Sequence, residues 1–222
     1  MTRRQILFEL AARIAGNRLN HPIRVAIDGI DASGKTSLAD ELQTVLVKGN
    51  RPIIRASLDA FHNPEAVRYS QGRTSPRGYF EDSFNYNALI EKLLNPLGPG
   101  GNRIYYASYF DYQLDRMRLS TALTAHDNSI LLFDGIFLQR PELQDKWDLS
   151  IFLSVPFEVS LSRALQRDLE PSISADSIQE LYKARYIPAQ QIYLDSCQPE
   201  SKADILIRNY PLDHPIIESV RQ

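Results

Sequence analysis

The segment Gly29-Ile30-Asp31-Ala32-Ser33-Gly34-Lys35-Thr36 limits what this chain can fold into more than any other. It satisfies the pattern Gly-x4-Gly-Lys-Ser/Thr in full. Average residue usage gives such a match by chance in a chain of this length with odds on the order of one in a hundred. The flanks narrow the reading. Ile23–Asp28 (IRVAID) is an apolar strand leading in, and an amphipathic helix runs out from about Gly34 to Lys48. Its apolar face is Leu38, Leu42, Val45 and Leu46, and Gly49-Asn50 stops it. Strand, glycine-bearing turn and helix in that order form a loop that grips phosphate.

The chemistry follows residue by residue. Gly29 and Gly34 let main-chain N–H groups turn inward with no Cβ in the way. The helix that starts near Gly34 aims its positive dipole end at the phosphates. Lys35 sets an ammonium against the β- and γ-phosphates, and the Thr36 hydroxyl is a ligand for Mg²⁺. The stretch Gly29–Ser37, with Ile30, Asp31, Ala32, Ser33 and Ser37 lining it, is the expected nucleotide cradle. Asp134 follows the apolar run Ser129–Phe133 (SILLF), so it sits at the C-terminal end of a buried strand, where an acid holds Mg²⁺ directly or through water.

Further strands are expected at Pro52–Ser57, at the tyrosine-rich Arg103–Phe110, at Leu149–Val155 and at Ala203–Ile207. Helices are expected at Tyr86–Leu94, Pro156–Asp168 and Asp176–Asp195, the last bent at Pro188. Apolar strands alternating with helices predict a single three-layer α/β/α domain over 1–222, a P-loop nucleoside triphosphate hydrolase fold with a mostly parallel sheet. Ligands bind such sheets at the C-terminal strand ends. Residues 1–20 carry Ile6, Leu7, Leu10 and Ile14 on one helical face and should pack on that domain. The polar tract 62–81 has no periodicity; it and 168–176 are expected to be mobile acceptor and lid loops.

Composition removes other classes. Lys and Arg number 25 against 27 Asp and Glu, a net charge of −2, which argues against a nucleic-acid or anionic-membrane coat. No apolar run is long enough to span a bilayer. The lone cysteine, Cys197, permits no internal disulfide or cysteine zinc site, and the arginine-bearing start lacks a secretory core, so a cytoplasmic place is expected. A homo-oligomer stays open.

No NKxD segment marks a GTPase, and no LSGGQ-like segment marks an ABC-type ATPase. From about Val25 to Ile207 the chain resembles the uridine kinase and phosphoribulokinase-like family of P-loop small-molecule kinases. The ordered landmarks are VAIDGIDASGKT, SLDAFHNP, YFEDSFNYNAL, IYYASYFDY, LLFDGIFL and FEVSLSRALQRD. The resemblance implies Asp59 as the general base beside the acceptor hydroxyl, in keeping with its place after a strand neighbouring the P-loop strand. It also implies Asp82, Phe84, Tyr106 and Tyr112 as acceptor-pocket residues, with His62 in reach of the acceptor. Arg163 and Arg167, at i and i+4, share a helical face and resemble lid arginines that neutralise the transferred group. Lys183 and Arg185 are further candidates for that role. Three segments depart from the uridine kinase pattern. Asp115 stands about where those enzymes have a histidine that contacts the pyrimidine, EPSISADS replaces their Arg-Gly-Arg, and 62–78 is unlike theirs.

The function implied is ATP- and Mg²⁺-dependent phosphoryl transfer to a small-metabolite hydroxyl, first of all the 5′-OH of a pyrimidine nucleoside. A sugar phosphate, pantothenate or a ribosyl pyridine is an alternative acceptor. A nucleotide-dependent switch or ATPase is the rival from another class.

Overall fold

The computed structural model describes residues 1–168 and 174–221. Its core is a six-stranded sheet. In chain order the strands are β1 (Ile23–Gly29), β2 (Ile53–Ser57), β7 (Ile130–Asp134), β8 (Leu149–Ser154), β9 (Ile205–Arg208) and β10 (Ile216–Val220). They lie in the spatial order β10-β9-β8-β1-β7-β2, and every pairing is parallel except β10 on β9.

Period-two alternation sends successive apolar residues to opposite faces, and both faces are covered. Ile23, Val25, Ile27, Leu132 and Ile151 pack with Ile6, Leu10 and Ile14 of α1 (Arg3–Gly16) and with Leu38 and Leu42 of α2 (Lys35–Leu46). Ala26, Leu131, Phe133 and Phe152 face the other way. They meet Leu89 of α5 (Tyr86–Leu89), Leu93 and Leu94 in the following turn, and Tyr193 of α9 (Ile187–Cys197). The N-terminal helix packs as expected, closed by a Thr2–Gln5 capping box.

Four expectations are corrected. The strand before Asp59, β2, does not neighbour the P-loop strand β1, because β7 lies between them. The tract 62–81 holds two short helices, α3 (Glu65–Arg68) and α4 (Pro76–Asp82). Ser75 accepts from the Gly78 N–H, and Pro76 occupies the first helical turn, where its missing N–H costs nothing. The single strand at Arg103–Phe110 is broken into β3 (Ile104–Tyr105), paired with β6 (Leu123–Thr124), and β4 (Phe110–Asp111), paired with β5 (Arg116–Met117). Between them the Tyr106 N–H goes to the Lys92 carbonyl, so the ladder cannot continue. The long C-terminal helix is α8 (Ala175–Leu181), a π turn at Tyr182–Tyr186, and α9, with the widened turn just before Pro188. A similar π turn, Ile90–Leu94, joins α5 to α6 (Asn95–Leu97), which carries Pro96. Helix α7 (Phe157–Asp168) reaches the start of the expected lid loop; residues 169–173 of that loop lie outside the described residues. The short helix α10 (Pro199–Lys202) leads into β9.

One buried ion pair ties the sheet together at the end opposite the site. Asp148 accepts from the Arg24 backbone N–H at 2.8 Å and from its guanidinium at 3.0 Å twice. Arg24 is 4% exposed. Asp148→Ala would strand that buried cation and should cost about 3–5 kcal/mol, read as a lowered urea midpoint with an unchanged slope.

Candidate active site

Strand β1 ends at Gly29 and α2 begins at Lys35, and the loop between them is crowded enough to require glycine. A Cβ on Gly29 would lie 2.6 Å from Ser33 Oγ and 2.7 Å from the Leu153 carbonyl. Gly34 has φ +97°, and no side chain caps α2, so its first N–H groups face the loop. Neighbouring elements fix the loop from outside. Asn209 Nδ2 donates to the Ser33 carbonyl (2.7 Å) and Ser160 Oγ to the Asp31 carbonyl (2.7 Å). Gln190 accepts from the Asp31 N–H (2.6 Å) and donates to its carboxylate (3.1 Å). Inside the loop, Ser33 Oγ is buried with no partner.

Lys35 Nζ donates to the Ile30 carbonyl at 2.7 Å. Burial lowers the ammonium's pKa, and Asp31, Asp28, Asp134 and Asp59 oppose that shift.

Asp134 lies level with Ile27 and with Ser57 in the parallel registers. Its Oδ2 accepts from Thr36 Oγ1 at 2.6 Å, and its Oδ1 from Arg55 at 2.6 Å. Two adjacent hard oxygens, one anionic, fit Mg²⁺, which takes one or two protein ligands and completes its shell with phosphate and water. Arg55 also pairs with Asp40, so it braces the carboxylate from the strand side. Sequence reasoning missed this arginine because alternation alone gave no partner for it.

Asp28, wholly buried at the end of β1, was also missed. It accepts from the Gly29 N–H at 2.7 Å and from the Tyr193 hydroxyl, which in turn accepts from the Gln139 N–H at 2.8 Å. Burial lifts its pKa to about 6 against the pull of these bonds and of Lys35.

A cavity of about 540 Å³ opens beside the loop, lined by Gly34, Lys35, Thr36, Ser37, Arg163 and Arg167 among others. The two arginines share a face as expected but do different things. Arg163 donates to the Asn209 carbonyl at 2.9 Å and more weakly to Ala32 and Ser33, so it braces the outside of the loop. Arg167 pairs with Asp168 and reaches the Tyr182 hydroxyl at 3.3 Å. Lys183 is exposed.

The other side of the site gathers around Asp59, which is exposed in the turn Leu58–Phe61 directly after β2. His62 Nδ1 lies 2.8 Å from the Asp59 carbonyl, and its ring packs 4.6 Å from both Phe84 and Tyr112. Burial lowers the imidazole's pKa although Asp59 opposes the shift. Phe84 is buried and also packs on Tyr86 and Phe137. Asp82 accepts from Gln71 (2.8 Å) and Ser70 (3.2 Å), so it organises the α3–α4 segment. Tyr106 is half-buried, and no ring contact among the described residues joins it to this cluster. Asp115 holds Arg68 (2.8 Å) and the Glu65 N–H (2.9 Å). Tyr69, Tyr79 and Tyr186 complete the wall, with the Tyr79 hydroxyl 3.5 Å from Asp31 and its ring 4.7 Å from Tyr186. The i, i+4 spacing of Tyr182 and Tyr186 was the available signal for the last of these.

A parallel sheet, a glycine-gated phosphate loop and an acid on the neighbouring strand define a P-loop kinase fold. The chain resembles a solved structure described as that of a possible uridine kinase from Bacillus stearothermophilus, with TM-score 0.72 and 21% identity over 91% of this chain and 97% of that one. A uridine-cytidine kinase B of Dictyostelium discoideum is 28% identical over 84% of this chain and 74% of that protein. A uridine kinase of Haemophilus influenzae is 27% identical over 83% of this chain and 86% of that protein. The Phosphoribulokinase / Uridine kinase family model matches residues 24–214. The chain belongs to that family and is an ATP-dependent kinase. No helix among the described residues is long and apolar enough to cross a membrane.

The raised pKa of Asp28 sets a pH test. Its folded value lies above its unfolded one, so ionisation opposes folding. The penalty is absent below about pH 4, grows as pH rises through about 6, and is constant above. Asp28→Asn should match the parent near pH 4 and exceed it by on the order of 2–3 kcal/mol at pH 8 in denaturant unfolding.

Proposed function

We propose that this chain transfers the γ-phosphoryl group of ATP, taken as its magnesium complex, to a hydroxyl of a small acceptor bound on the Asp59 side. The observation that carries the reading is that the phosphate loop, the Thr36–Asp134 pair and Asp59 share the C-terminal ends of three adjacent parallel strands.

In this reading the loop amides and Lys35 hold the β- and γ-phosphates. Thr36 and Asp134 would hold Mg²⁺, which would supply charge neutralisation on the phosphates when bound. Asp59 accepts the acceptor's hydroxyl proton as the new O–P bond forms. The bond to the β-phosphate oxygen breaks, and its electron pair leaves with ADP. Arg167, at the cavity rim, faces the charge that develops on the transferred group. Arg163 acts through the loop it braces.

The named relatives bring uridine and cytidine as first candidates, and the 5′-OH of a pyrimidine nucleoside as the acceptor group. A specific observation favours a different small hydroxyl compound. Asp115, where the resemblance puts a base-contacting histidine, is committed to Arg68 and to the start of α3. A switch or simple ATPase would hydrolyse ATP at a rate no small hydroxyl compound alters.

Asp59→Asn should leave the thermal shift given by an ATP analogue intact and lower kcat by about 10²- to 10⁴-fold. A near-normal kcat removes Asp59 from the base role. Lys35→Ala should abolish the analogue's shift itself.

A further inference from the structure

Two buried cations on the acceptor side have no task in the transfer described above. Arg68 is 5% exposed and Arg185 is 3% exposed. The Nε of each is buried with no hydrogen-bond partner. Arg68 has Asp115 as a counter-ion. Arg185 has no carboxylate within ion-pair distance among the described residues, and its guanidinium donates only to the Arg73 carbonyl.

The two guanidiniums converge on one ring. Arg185 Cζ lies 4.6 Å and Arg68 Cζ 5.5 Å from the centre of Tyr69. Each is also one ring away from the reacting centre. Arg68 stands 4.2 Å over Tyr112, which packs on His62 beside Asp59. Arg185 stands 5.2 Å from Tyr79, whose hydroxyl reaches Asp31 of the phosphate loop.

Tyrosine faces offset part of the cost of burying a guanidinium. They leave its in-plane N–H donors unmet, and an unpaired buried charge is costly. A carboxylate or phosphate meets such donors in their own plane. Uridine and cytidine are neutral and offer no such group.

Resting on the kinase reading above, we infer that the acceptor is an acidic hydroxy compound whose carboxylate or phosphate seats between Arg68 and Arg185 while its hydroxyl lies at Asp59. The Arg68–Arg185 pair then sets acceptor specificity, and the phosphate loop is left to the nucleotide.

The test uses the full chain. AMP-PNP with Mg²⁺ is first bound to saturation, and its own rise in Tm reports on the phosphate loop. Millimolar orthophosphate added next should raise Tm further; the second rise should vanish in Arg185→Gln and persist in part in Arg185→Lys. No rise with AMP-PNP sinks the kinase reading itself. A rise with AMP-PNP and none with orthophosphate overturns the anion seat and leaves the kinase standing. ADP release is then followed with D-glycerate, ribose 5-phosphate and uridine. Turnover of either acid supports the seat, and the acid used tells carboxylate from phosphate. In Arg185→Gln its KM should rise about tenfold or more with kcat within about threefold. Turnover of uridine alone overturns the proposal. Should Arg185→Gln fail to fold, orthophosphate inhibition of the unaltered enzyme decides: competition with the acid acceptor supports the seat, and competition with ATP alone refutes it.

Discussion

The molecule depends on a space that must stay empty. A phosphate bound by main-chain N–H groups needs those groups turned inward, and this fixes the path of the chain between Gly29 and Gly34. At Gly29 the main chain passes so close to the Leu153 carbonyl and to Ser33 that any side chain would collide. The loop is therefore shaped by β8 beside it as much as by its own residues. Around that turn the fold supplies rigidity: Asn209, Ser160 and Gln190 each hold a peptide group of the loop from a different element. A loop pinned at several points presents its donors without having to reorganise when the ligand arrives.

Charge is arranged around the same point. Lys35 is buried, and the charges of Asp31, Asp28, Asp134 and Asp59 act on it more strongly than they would in water. Thr36 and Asp134 stand in contact, so the pair that we propose as magnesium ligands is held together by the fold. Arg55 holds the second carboxylate oxygen, which limits how the carboxylate can rotate. Asp28 shows the other consequence of burial: an acid beneath the loop whose proton is held far more tightly than in water.

The side around Asp59 is built differently. It is a wall of rings and guanidiniums, from His62, Tyr69, Tyr79, Tyr112 and Tyr186 to Arg68 and Arg185, contributed by the turn after β2, by α3 and α4, by the segment after β4 and by the π turn at Tyr182–Tyr186. These pieces are distant in sequence and meet only because the 62–81 tract folds back over the strand ends. The family match covers residues 24–214, from β1 through β9.

By itself the sequence determined the strand-loop-helix unit, the parallel three-layer sheet, the place of Asp134 and Asp59 at strand ends, and the kinase family. Those features follow from local patterns: glycine spacing, period-two and period-3.6 apolarity, and a lysine-threonine pair at a helix start. Only the tertiary structure decided the rest. It split the tyrosine-rich strand, because Lys92 took the Tyr106 N–H. It gave Arg163 and Arg167 different partners, committed Asp82 and Asp115 to holding backbone and side chains, and buried Arg185 without a counter-ion among the described residues. Arg163 and Asp115 meet partners dozens of residues away, and no local periodicity encodes which distant group a polar side chain will meet.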